Sequence, residues 1–150
     1  MMKPAAVLKI VPAFVVLAGL GTTMALAGPI EDRQALMKSN GKEIGALAKM
    51  FKGEDAYDAA AVKAHASKIA DNLQKAATLF PENSKEGPPE TWAKPEIWSD
   101  MAGFKAADEN AYKAADAVVD SKDKASFKTA MTELGDACGA CHKKFRRPKD

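Results

Sequence analysis

Near the C-terminus, Phe127, Met131, Leu134, Cys138, Cys141 and Phe145 recur in steps of 4-3-4-3-4. Only a helix brings such steps onto one face, because a strand's period of two would scatter them over both sides. Two thiols therefore stand in the apolar stripe of a helix, at positions that a packed core normally fills with aliphatic groups.

The rest of the chain repeats the helical pattern. Ile30, Met37, Ile44 and Phe51 recur at intervals of seven, with Leu47 between them, as a bundle seam does. Lys52-Gly53-Glu54-Asp55 ends that stretch. Asp58 is placed as an N-cap before Ala59-Ala60-Ala61 and opens a second stretch. Its face carries Val62, Ile69, Leu73, Ala76 and Phe80, and it is expected to stop at Pro81. A polar connection with Gly87, Pro88 and Pro89 runs to Lys94. Pro95 suits the first turn of a third helix, with Ile97, Met101, Phe104, Ala111, Ala115 and Val118 along its face. No strand-like alternation interrupts this series. The expected fold is all-α, an antiparallel up-down four-helix bundle.

Residues 1–27 read as a cleaved signal peptide. Lys3 and Lys9 form a positive start, Ile10 to Leu20 an apolar core, and Ala25-Leu26-Ala27 a small-x-small cleavage site. The uninterrupted apolar core is short of the roughly 20 residues that span a bilayer. The expected mature domain is 28–150, exported to the periplasm with no membrane anchor left after processing. The formal net charge of +2 then belongs to Lys3 and Lys9, and the mature chain is neutral. Nothing in that balance suggests a nucleic-acid partner. Two Cys are too few for a disulfide scaffold or a Cys₄ zinc site.

The chemistry lies in Cys138-Gly139-Ala140-Cys141-His142. Positions i, i+3 and i+4 share a helix face, so both thiols and the imidazole address one object at the core seam. A haem meets that requirement: two vinyl groups accept the thiols as thioethers, and the iron takes His142 as an axial ligand. A thioredoxin-like pair belongs after a strand in a βαβ unit, and a zinc site needs a fourth ligand, with His65 far away in sequence. A plain disulfide leaves His142 unexplained. The expected cofactor is one covalently attached heme c with its iron.

A four-helix bundle with Cys-x-x-Cys-His on its last helix, followed by Phe145-Arg146, resembles the class II c-type cytochromes. These are the cytochrome c′ family and its low-spin cytochrome c-556 relatives. Arg33-Gln34 with Met37, Lys52-Gly53 through Tyr57-Asp58-Ala59-Ala60, and Pro95-Glu96-Ile97-Trp98-Ser99-Asp100 are similar to the family's remaining motifs. The resemblance implies Arg33 near a haem propionate and Arg146 near the proximal His142. It implies an electron-transfer protein rather than an enzyme, with a homodimer through the first two helices left open.

The sixth coordination position divides the family. A Met at the place of Met37 closes the coordination sphere in the low-spin branch. In typical members an apolar residue blocks that face, and a five-coordinate iron binds nitric oxide or carbon monoxide. The run Gln34-Ala35-Leu36-Met37-Lys38-Ser39-Asn40-Gly41 looks closer to the low-spin branch, although Met37 also suits a packing role in the seam. A weak peroxidase ranks last, because only Arg33 is a polar distal neighbour. Met50, Met101 and Met131 are expected to pack, and His65 to be no ligand. Lys143, Lys144, Arg146, Arg147 and Lys149 crowd the C-terminal tail. They either steer an acidic redox partner protein or complement the helix C-terminus and the propionates.

Overall fold

In the computed structural model, which describes residues 28–148, four long helices carry the fold: α1 (Pro29–Lys52), α2 (Ala59–Ala76), α4 (Met101–Val119) and α5 (Lys124–Phe145), with a one-turn α3 (Glu96–Ser99) before α4. Residues 1–27, the expected signal peptide, and Lys149 lie outside the described residues. Each boundary has a local cause. α1 ends where Gly53 takes φ 82°, a left-handed conformation that glycine adopts without strain, and its N–H closes on Lys49 and Met50 carbonyls. Asp58 caps α2, its Oδ1 accepting from the Ala60 and Ala61 amides at 2.8 and 3.1 Å. Asp123 caps α5 in a reciprocal box with Ser126.

Two expectations are corrected. The second helix stops at Ala76, not Pro81, and Phe80 leaves the helix to join a separate aromatic cluster. The third helix is interrupted at Asp100 (φ −131°, ψ 56°), whose carboxylate accepts from the Gly103 amide and starts α4 afresh. A Cβ at Gly103 would fall 2.3 Å from the Asp100 carboxylate, so this cap requires glycine.

The bundle is antiparallel and packs in chain order, α1 on α2, α2 on α4 and α4 on α5, while α1 and α5 barely touch. The main core fills one end, where the end of α1 and the start of α2 meet the end of α4 and the start of α5. Leu47, Val62, Ala66, Ile69, Ala115, Val118, Phe127 and Leu134 are essentially sealed there. Met50 is buried with them as expected; Met101 and Met131 pack half-buried. The expected seven-residue seam of α1 is only partly core. Ile30 is buried, but Ile44 and Phe51 are half-buried and Met37 is exposed.

Candidate haem site

The gap left between α1 and α5 is a cavity of about 750 Å³, within the range of small-molecule and cofactor pockets. Cys138, Cys141 and His142 reach it from α5, Met37 and Arg33 from α1, and Arg146 from the residue after α5. All six residues singled out in the sequence thus converge on one site. Ile69, Leu73, Ile97 and Phe104 supply apolar wall from the other helices.

The thiols mark the boundary between two hydrophobic clusters. Cys138 packs on the main core, and Cys141 on the smaller cluster of Ile97, Phe104 and Phe145. Both cysteines are free and half-buried. Burial raises both thiols; Cys141 reaches about 11, with the Asp108 carboxylate and Cys138 adding to the effect. Burial, then the Arg146 charge, pushes His142 below the usual imidazole range. At neutral pH the site therefore presents two neutral thiols and a neutral imidazole, whose lone pair is what a metal needs.

Two further observations test whether these residues fit a haem. Among the described residues, the exposed large hydrophobics are Met37 (37%) and Trp92 (41%), and both line this cavity. Arg146 Nε is buried without a protein acceptor, as a donor facing an anionic, propionate-bearing group would be. An apolar cleft with two thiols, a neutral imidazole and the unpartnered Arg146 Nε fits haem c. Among the described residues no cluster of three or more His, Cys, Asp or Glu forms an alternative metal site. His65 pairs instead with Glu43, Nδ1 to Oε2 at 2.6 Å, outside the cavity.

Arg33 has a role that its sequence context did not announce. It is buried, and its terminal nitrogens donate to Leu79 O, Ser84 Oγ, Ser84 O and Thr91 Oγ1 at 2.8–3.0 Å. Its guanidinium also lies 4.7 Å from the Phe80 ring centre. Residues 79–91 are therefore fastened to α1. From the other side, Lys94 N donates to Phe145 O, Arg147 N to Trp92 O, and Arg147 Nη2 to Thr91 O. The connection becomes a strap closing one end of the cavity.

Asp108 was missed in the sequence. It lines the cavity from α4, and burial with the neighbouring Glu109 raises its carboxyl to about 6. Its signal was the register: it falls four residues after Phe104 and three before Ala111, inside the apolar stripe.

This fold and site define a helical-bundle protein that carries haem c through two thioether links on its last helix. The family model for cytochrome c′ matches residues 28–146. A cytochrome c-556 of Agrobacterium fabrum is 41% identical over 125 residues, covering 82% of this chain and 84% of that protein. The structure of cytochrome c′ from Rhodopseudomonas palustris superposes with a TM-score of 0.76 at 35% identity, covering 83% of this chain and all of the other. A nitric oxide complex of a cytochrome c′ variant from Alcaligenes xylosoxidans superposes at 0.72 with 26% identity, covering 82% and 99%. The chain belongs to the cytochrome c′ family.

Proposed function

We propose that this protein is an exported, periplasmic one-electron carrier whose haem iron is held between His142 and Met37. The observation that carries the reading is the position of Met37. Its thioether lies on the α1 wall of the cavity, and His142 enters from α5, the helix across the gap. Haem c supplies the redox chemistry, its iron alternating between ferric and ferrous. A thioether is a soft ligand that favours the reduced state and raises the potential. Met37 also leaves no open coordination position, so the protein would bind no substrate at the metal and is read as no enzyme.

Export rests on the leader-like residues 1–27. Among the described residues no helix is long and apolar enough to cross a membrane. The partner is read as an acidic redox protein, met by Lys143, Lys144 and Arg147 beside the site. Lys144 is ion-paired with Asp100 and Arg147 with Glu90, so part of that charge is already balanced. Rates of electron exchange that fall with rising ionic strength support this docking, and rates that do not fall contradict it.

A second reading, an iron with five ligands that binds nitric oxide or carbon monoxide, has the nitric oxide complex of the Alcaligenes relative in its favour. Carbon monoxide separates the two. A low-spin ferrous spectrum that carbon monoxide leaves unchanged supports the carrier. A high-spin ferric spectrum with prompt carbon monoxide binding contradicts it.

A further inference from the structure

The inward stripe of α4 runs through Phe104, Ala111, Ala115 and Val118, all buried. Asp108 shares that register and is half-buried, so its carboxyl lies on the cavity wall and acts on Cys141 while keeping access to water. Burial and the neighbouring Glu109 carboxylate are what act on its charge. The charges around it are otherwise engaged or distant in role. From α1, Arg33 is held by the strap and Lys38 is exposed; from the strap, Glu90 pairs with Arg147. From α5 come His142, Cys141 and, just beyond, Arg146, while α2 and α3 present only apolar side chains to the cavity. On α4 itself the neighbouring charge is Glu109, a repulsive one. A half-buried carboxyl in an apolar wall is pushed above the ordinary carboxylate range, here to about 6.

We propose that Asp108 couples a proton to the electron, binding one from solvent when the site is reduced and releasing it when the site is oxidised. In balance, the oxidised site with Asp108 as carboxylate, one electron from a one-electron donor and one proton from water give the reduced site with Asp108 as carboxylic acid. An O–H bond of hydronium breaks and one on the Asp108 carboxyl forms. The added electron cancels one positive charge in the cavity, so Asp108 holds its proton more tightly in the reduced protein. Linkage makes this reciprocal: protonated Asp108 makes reduction easier. The coupling requires haem c at Cys138 and Cys141 but not ligation by Met37. Five-coordinate iron would leave it standing, so its failure and that of the carrier reading are separable.

The test is a redox titration of the haem-loaded protein from about pH 5 to about pH 8, bracketing the value near 6. At fixed applied potential, the reduced-to-oxidised ratio should fall by at least about fivefold as pH rises through this window. Asp108→Asn should flatten the response, and Asp108→Glu should keep it with a displaced midpoint. A wild-type ratio that ignores pH overturns the proposal, and so does a response undiminished in Asp108→Asn, which would place the proton elsewhere, such as on a propionate. Should Asp108→Asn not fold, infrared difference spectra of the wild type still decide. Reduction should bring up a protonated-carboxyl C=O band, and its absence overturns the proposal.

Discussion

The two ends of the bundle are built differently. At one end, thirteen buried residues from α1, α2, α4 and α5 form a continuous core, aliphatic except for Phe127, which Tyr57 approaches at 5.7 Å. At the other, among the described residues, Ile97, Phe104 and Phe145 make a small buried cluster, extended by the half-buried Phe80 and Trp98. There Phe80 meets Phe104 edge-on at 4.6 Å and Phe104 meets Phe145 at 5.5 Å. The first end is packed throughout, with Ile69, Leu73 and Ala111 at its margin also forming cavity wall. The second is a frame of aromatic rings and strap hydrogen bonds around a cavity, and it needs a large apolar ligand to complete its packing. The haem therefore serves as core as well as cofactor, which accounts for the bundle's tolerance of so little contact between α1 and α5.

The sharpest way to break this comparison is to remove the links. Replacing Cys138 and Cys141 with Ala should abolish haem that survives denaturation, read on a gel stained for haem. Amide exchange in the same variant should lose protection first over the strap and the start of α4, while the packed end keeps more of it. Uniform loss across both ends would refute the division.

A core truncation probes the opposite end. Phe127→Ala should cost about 3–5 kcal/mol in denaturant unfolding, yet leave the absorption spectrum of the folded protein unchanged. A spectral change as large as the stability loss would mean that the ends are not separate. Arg33→Ala tests the strap. Its loss strands buried acceptors on Ser84 and Thr91 and should cost about 2–4 kcal/mol, with a rise in small-quencher access to Trp92 and Trp98 fluorescence in haem-free protein. The smallest effect belongs to Asp123→Ala, at the packed end. Losing this cap should cost about 1 kcal/mol and leave haem, spectrum and potential as they were.

Asp108 places a pH signature on the cavity end. Its folded carboxyl sits near 6, above the unfolded value of about 3.9. The folded state then binds more protons than the unfolded one between these values, so stability falls as pH rises through that window. In protein lacking haem, Asp108→Asn should relieve about 1–2 kcal/mol of this cost at neutral pH. Denaturant midpoints that are equal for both proteins at pH 5 and pH 7 would contradict it.

What could be read from the sequence was whatever is encoded within a few residues. The Asp58 cap, the Gly53 stop and the stepping of Phe127 through Phe145 are local, and they stand where expected. So does the Cys138–His142 motif, because i, i+3 and i+4 fix a shared face whatever surrounds the helix. Tertiary facts were less legible. Arg33 resembled a haem contact by position, but its hydrogen bonds run to residues 46 to 58 positions away. Phe80 fitted the α2 stripe, yet ring packing against Phe104 and Trp98 drew it out of the helix. Asp100 broke the third helix through a cap on Gly103 that periodicity alone does not register. Met37 matched a packing seam as well as a ligand position, and in the fold it lines the cavity.

We propose that Met37 and His142 share the iron. The most direct measurement is the methionine-sulfur-to-iron charge-transfer absorption of the ferric protein, in wild type and in Met37→Ala. The account predicts the band in the wild type and its loss in the variant, together with the appearance of a carbon-monoxide-reactive ferrous form. A wild-type protein without the band, or a Met37→Ala variant that keeps it, would contradict the account.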